Sequence, residues 1–315
     1  MSDLEPRPAP SDSRDCAAAA RTPTAQRIPA REALLGEGMR IYRALPSAQR
    51  RTIGAWCFLD HFGPVDVTTG QGLRVRPHPH IGLQTVTWLR EGEILHRDSL
   101  GCVQPIRPGQ LNLMTAGRGI SHSEESPATR PPRLHGTQLW IALPDGARHT
   151  EPAFDHHPEL PTTTHDGLRV TVLAGTALGL ASPARVHTPL VGLELCAPAA
   201  VDTVLPVEPA FEYGALVVEG AAEVAGEALT PGTLLYLGCG RDALPIRTTG
   251  PAALMLIGGE PFTATALMWW NFVARTQAEL SAVTRDWNAG AAYLGEVRGY
   301  DGARLPAPLP PWDGA

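Results

Sequence analysis

Nothing in the 315 residues approaches the roughly 18 consecutive apolar residues of a membrane-spanning helix. The opening stretch MSDLEPRPAPSDSRDCAAAARTPTAQR has no basic start followed by an apolar run, so a secretory signal is not expected and a cytoplasmic location is. Cysteine is sparse. Cys16, Cys57, Cys102, Cys196 and Cys239 make an odd number with no CxxC pair, which argues against a disulfide framework and against a thiolate zinc site. Positive charge is in deficit, with 26 Lys+Arg against 32 Asp+Glu and a net charge of −6, so there is no electrostatic case for direct nucleic-acid or anionic-membrane binding. No phosphate-cradling loop stands out: GRGISHS (117–123) lacks the lysine and the strand–helix setting of a P-loop. A serine nucleophile elbow is absent as well. Histidine nearly vanishes from the second half, where only His187 follows His165. A histidine-rich site is therefore excluded there.

Glycine and proline are plentiful, at 32 and 31 residues. That favours short strands and tight turns over long helices. LQTVTWL (83–89) and GTQLWIAL (136–143) are rich in β-branched and aromatic residues, with turn signals between such runs. Strand texture resumes after the polar connection 148–167, and each half carries a Pro-Gly turn before a core strand, at Pro108-Gly109 and Pro231-Gly232. One helix is expected over TQAELSAVTRDW (276–287), where Thr276 and Glu279 have capping-box spacing and Leu280, Val283 and Trp287 form an apolar stripe. The reading is all-β. Residues 1–27 form a disordered arm, 28–147 an N-terminal barrel, 148–275 a C-terminal barrel, and 276–315 a helix and an extended proline-rich tail.

RVRPHPHIGLQ (74–84) carries the chemistry. Pro77 and Pro79 forbid a helix and hold their neighbours extended. In a strand, residues i and i+2 share a face, so His78 and His80 point the same way, roughly 6.5–7 Å apart at Cα. The missing amide donors place this stretch at a sheet edge or beside a bulge. A lone HxH is commonly two surface histidines, but GRGISHSEE (117–125) adds His122 and Glu124 at the same spacing. Two strands then offer three imidazoles and one carboxylate, while Glu125 points away by parity. Three nitrogens and a hard oxygen suit one divalent ion, Fe(II) foremost, with Mn, Ni, Co or Zn able to use the same donors.

HPHIGLQTVTWL, LHRDSLG and MTAGRGISHSE, with FLDHFGP (58–64) and MWWNFVART (268–276), resemble pirin and the bacterial pirin-like proteins of the cupin superfamily. The resemblance is dense over 53–145 and thin from there to 268. It implies a bicupin, two β-barrels packed face to face with metal only in the N-terminal one, held by His78, His80, His122 and Glu124. Of the general cupin motif, Gly72 stands six residues before His78. Gln84 occupies the glutamate position, and Gly92 falls one residue late. Some pirins resemble quercetin 2,3-dioxygenases, which implies a flavonol-like aromatic substrate and dioxygen. Glu124, the only ligand able to double as a base, is the candidate catalytic group, taking the substrate proton if it leaves the metal. Other pirins imply an iron-binding, redox-sensing regulator that binds a protein partner. A zinc isomerase, as among other cupins, is a third class, without a visible sugar-phosphate site.

His96 and Asp98 make another i, i+2 pair. If 83–89 and 94–99 pair through the REGE turn (90–93), His96 lies about 25 Å from His80 and has a structural or hydrogen-bonding role. His61, after Asp60 at a strand end, is read as a turn residue or one standing behind the ligands, rather than a ligand itself. His135, His149, His156, His157 and His165 are read as solvated loop residues, and Trp269, Trp270 and Phe272 as packing.

Overall fold

The computed structural model describes residues 9–314. Most of its strands fall into two barrels built on one plan, each a seven-stranded sheet facing a four-stranded one, and the strands pair antiparallel. In the N-terminal barrel the larger sheet runs, in spatial order, Ala153–His157, Leu111–Thr115, Leu83–Glu91, Arg133–Ala142, Trp56–Asp66, Met39–Leu45 and Arg31–Leu35. The smaller sheet runs Arg74–His80, Ile120–Glu125, Ile94–Asp98 and Val103–Ile106. The C-terminal barrel repeats the scheme, with a larger sheet from Thr162–His165 to Gln26–Pro29 and a smaller one from Val201–Pro206 to Glu227–Leu229.

The two larger sheets pack against each other. Leu59, Val86, Trp88, Leu139 and Ile141 of one barrel share a core with Leu190, Leu216, Met255 and Ile257 of the other. These residues alternate along their strands, so one face of each sheet serves the seam and the other its own barrel. Trp56 crosses the seam and donates its indole N–H towards the carbonyls of Val191 (3.1 Å) and Gly258 (3.2 Å). A Cβ at Gly192 would stand 2.9 Å from the Trp56 ring, so only glycine leaves room for it.

The barrels exchange edge strands. Gln26–Pro29 pairs with Thr233–Gly238 of the C-terminal barrel, and Ala153–His157, inside the expected connection, pairs with Leu111–Thr115 of the N-terminal one. The expected disordered arm is thus corrected for residues 9–27. Ser11–Asp12 pairs with Leu267–Trp269, Ala20 N–H donates to the Tyr236 hydroxyl, and Thr24 N–H to the Leu237 carbonyl. Such backbone pairing gives order to a stretch whose composition has no core of its own. Residues 1–8 of that arm lie outside the described residues.

The helix spans Gln277–Ala289, with Thr276 as N-cap, the Glu279 capping box formed, and Leu280, Val283 and Trp287 buried. The tail docks beneath it: Trp287 Nε1 donates to the Leu305 carbonyl, and Leu305 N–H to the Pro77 carbonyl. Trp269, Trp270 and Phe272 are packed in this cluster. No helix among the described residues is long and apolar enough to cross a membrane.

Candidate metal centre

Arg74–His80 is the edge strand of the smaller N-terminal sheet, where the amide donors lost at Pro77 and Pro79 cost no ladder bonds. His78 stands opposite His122, and a register shift, three residues against two, separates this pair from Glu124 opposite Val75. On its other side the Ile120–Glu125 strand pairs regularly, His122 with Asp98 and Glu124 with His96. His122 and Glu124 therefore keep one face, the barrel interior. Glu125 takes the other, where the Arg97 Nε donates to it at 3.0 Å.

The imidazoles of His78, His80 and His122 converge. One ring nitrogen from each lies within 4.8 Å of the others, forming a group that could hold a metal ion. All three are buried, at 2%, 1% and 2% exposure. Burial pushes His78 down to about 3 and holds His80 and His122 well below the ordinary histidine value. They are thus neutral, the form that binds a metal. His78 Nδ1 lies 2.9 Å from the Arg76 carbonyl and His80 Nδ1 2.9 Å from that of Asn271. A carbonyl only accepts, so both rings carry their proton on Nδ1 and turn the Nε2 lone pair inward. His80 Nε2 and His122 Nε2 face each other at 3.1 Å, a close approach that a shared cation would bridge. The donor set fits a divalent ion.

Glu124 lies in the same barrel interior, 6% exposed, but outside the three-histidine group. Burial raises its pKa. Its Oε1 is 3.2 Å from the Thr87 hydroxyl, which is also 3.0 Å from Gln138 Oε1. One hydroxyl has one proton, so either the carboxyl donates to Thr87 or the Gln138 amide is turned over.

The structure departs from the sequence reading at His96. Ile94–Asp98 does not return beside Leu83–Glu91. The REGE turn carries the chain across to the smaller sheet, where the strand pairs with Ile120–Glu125. His96 therefore sits not about 25 Å away but with its ring 5.2 Å from that of His122. Its signal in the sequence was the i, i+2 spacing with Asp98, and only the strand partner was misjudged. His61 and His135 are also not turn or solvated residues. They are buried on neighbouring strands, with Nε2 atoms 2.9 Å apart, on the face turned to the other barrel. His156 is half-buried and bonded to Asn112. His149 is exposed, and His157, His165 and His187 are partly buried outside the cluster.

Comparison with known proteins agrees with this architecture. The pirin family model matches residues 38–141, and the model of the pirin C-terminal cupin domain matches 192–292. The chain is 50% identical over 313 residues to a Pseudomonas aeruginosa protein named "putative quercetin 2,3-dioxygenase", covering 99% of this chain and 98% of that one. It is 37% identical to a pirin-like protein of Caulobacter vibrioides over 81% of this chain and 90% of that one. A crystal structure of quercetin 2,3-dioxygenase from Acinetobacter baumannii superposes with a TM-score of 0.89 at 50% identity, over 91% of this chain and 96% of that one.

Proposed function

The chain belongs to the pirin family, and from that premise we propose that its N-terminal barrel is an Fe(II)-type metal centre serving a dioxygenase that cleaves quercetin-like flavonols. The convergence of three buried, neutral imidazoles on one point carries the reading. His78, His80 and His122 would hold the ion, with Glu124 as the fourth ligand. Mn, Ni, Co or Zn could use the same donors. A bound ion supplies Lewis-acid activation of a flavonol hydroxyl and a template for dioxygen.

The chain's own groups do the rest. Glu124 would take the hydroxyl proton at Oε1, with the Thr87 hydroxyl beside it at 3.2 Å. Trp140, edge-on to His80 with ring centroids 5.0 Å apart, and Phe154, stacked on His96 at 4.3 Å, give the site apolar aromatic walls suited to a flat aromatic ring. Such walls exclude water from the reacting atoms. The relatives' names support the substrate class.

The test is oxygen uptake by the Fe(II)-loaded protein with a panel of flavonols. Flavonol-dependent uptake is expected, and Glu124→Gln should lower it by about 10²–10⁴-fold as the base is lost. If the protein binds metal yet no flavonol drives uptake, the dioxygenase reading falls. The same site then belongs to a redox-sensing regulator that engages a protein partner.

A further inference from the structure

The three imidazoles are held differently. For His78 and His80 the Nδ1 partner is a backbone carbonyl, which no side-chain change removes. His122 has no such carbonyl. Its Nδ1 faces His96 Nδ1 at 3.4 Å, and His96 Nε2 lies 3.0 Å from Asp98 Oδ2. Asp98 Oδ1 is itself occupied, accepting the backbone N–H groups of Leu100 (2.9 Å) and Cys102 (3.1 Å). Phe154, from the exchanged edge strand, stacks on the His96 ring with planes 18° apart and fixes its tilt. His96 and Asp98 are as buried as the ligands themselves, at 3% and 2% exposure.

We propose that Asp98 and His96 are positioning residues that orient His122 for metal binding through a directed chain of hydrogen bonds. The chain's direction follows from the donor inventory. A carboxylate already accepting two N–H groups accepts a third, so His96 carries its proton on Nε2. His96 Nδ1 is then a lone pair and accepts from His122 Nδ1–H. His122 Nε2 is left as a lone pair turned towards His78 and His80. The opposite assignment sets an imidazole lone pair against a buried carboxylate, which the burial makes costly. The inference rests on His122 being a metal ligand and adds two residues that make it one. Partners of this kind commonly govern metal affinity by about 10–100-fold.

Asp98→Asn is the discriminating variant. The two backbone N–H groups keep the amide oxygen on their side, so the amide NH₂ faces His96. His96 Nε2 then becomes the acceptor and Nδ1 the donor, and His122 loses its acceptor. Co(II) affinity should fall about 10–100-fold. His96→Leu should fall likewise, while His96→Gln, whose carbonyl oxygen still accepts from His122, should retain most of it. Nitrogen NMR of the Zn(II)-loaded parent protein with labelled histidine should show protons on His122 Nδ1 and His96 Nε2. Parental Co(II) affinity in both Asp98→Asn and His96→Leu, or a proton on His96 Nδ1 in the parent, overturns the proposal. Should the variants fail to fold, the spectrum of the parent decides. Should the parent take up no metal, the proposed metal centre fails, while the metal-free spectrum still tests the chain of hydrogen bonds. There, a proton on His122 Nε2 overturns it.

Discussion

The two barrels share a seven-plus-four strand plan but fill it oppositely. The C-terminal interior is an unbroken apolar core, with Leu168, Val170, Leu193, Leu195, Val217, Leu235, Leu254 and Leu256 facing one another. The N-terminal interior keeps an apolar base around Phe62, Val75, Leu89 and Leu134, and above it sets His78, His80, His96, Asp98, His122, Glu124 and Thr87. Burying that many polar groups costs stability unless each finds a partner. Most do: the imidazoles find carbonyls or one another, and Asp98 finds backbone N–H groups. One scaffold thus supports either a core or a site. The inward-facing residues decide which.

The sharpest way to break this contrast is to remove the site. A His78→Ala/His122→Ala protein should lose its bound metal, from about one ion per chain to none, by metal analysis. Retention of a full equivalent would place the metal elsewhere. In the other barrel, Leu235→Ala should cost about 2–5 kcal/mol in denaturant unfolding while leaving metal content unchanged. A loss of metal there would show that the two interiors are not independent.

The exchanged edge offers a middle-sized test. Ile28, 1% exposed on the strand that completes the C-terminal sheet and packed in the core of the seam, should cost about 2–4 kcal/mol when changed to Ala. The seam itself should respond to acid. Burial, with His135 and Arg90 nearby, pushes His61 down to about 4. A histidine kept neutral in the folded state stabilises above its unfolded value near 6.5, and that contribution is lost as the pH falls towards 4. Stability should therefore drop across that window. His61→Gln should flatten part of the drop, measured as unfolding free energy against pH, and an unchanged slope would remove His61 from the account. The smallest effect is expected at Glu125. Glu125→Gln should change stability by under about 1 kcal/mol and metal affinity not at all, since its carboxylate meets Arg97 outside the barrel. Damage there, with a silent Glu124→Gln, would reverse the two faces of the strand.

Much of the candidate metal centre was legible from neighbouring residues. Pro77 and Pro79 impose extension on the spot, and parity then puts His78 with His80 and His122 with Glu124, because side-chain direction in a strand depends only on adjacent backbone. The capping box at Thr276 and the stripe to Trp287 were legible for the same local reason. The scarcity of histidine after His165, where only His187 follows, was plain from composition alone. What escaped were the partners across space. The REGE turn reads as a hairpin, and nothing in its four residues says that the next strand crosses to the opposite sheet and lays His96 against His122. The arm reads as disordered because its own side chains make no core, yet its backbone completes a sheet edge some two hundred residues away in sequence. Local sterics write side-chain direction into the sequence. Which strand meets which is settled only when two apolar faces and all their ladder bonds are satisfied together, and that is a property of the whole fold.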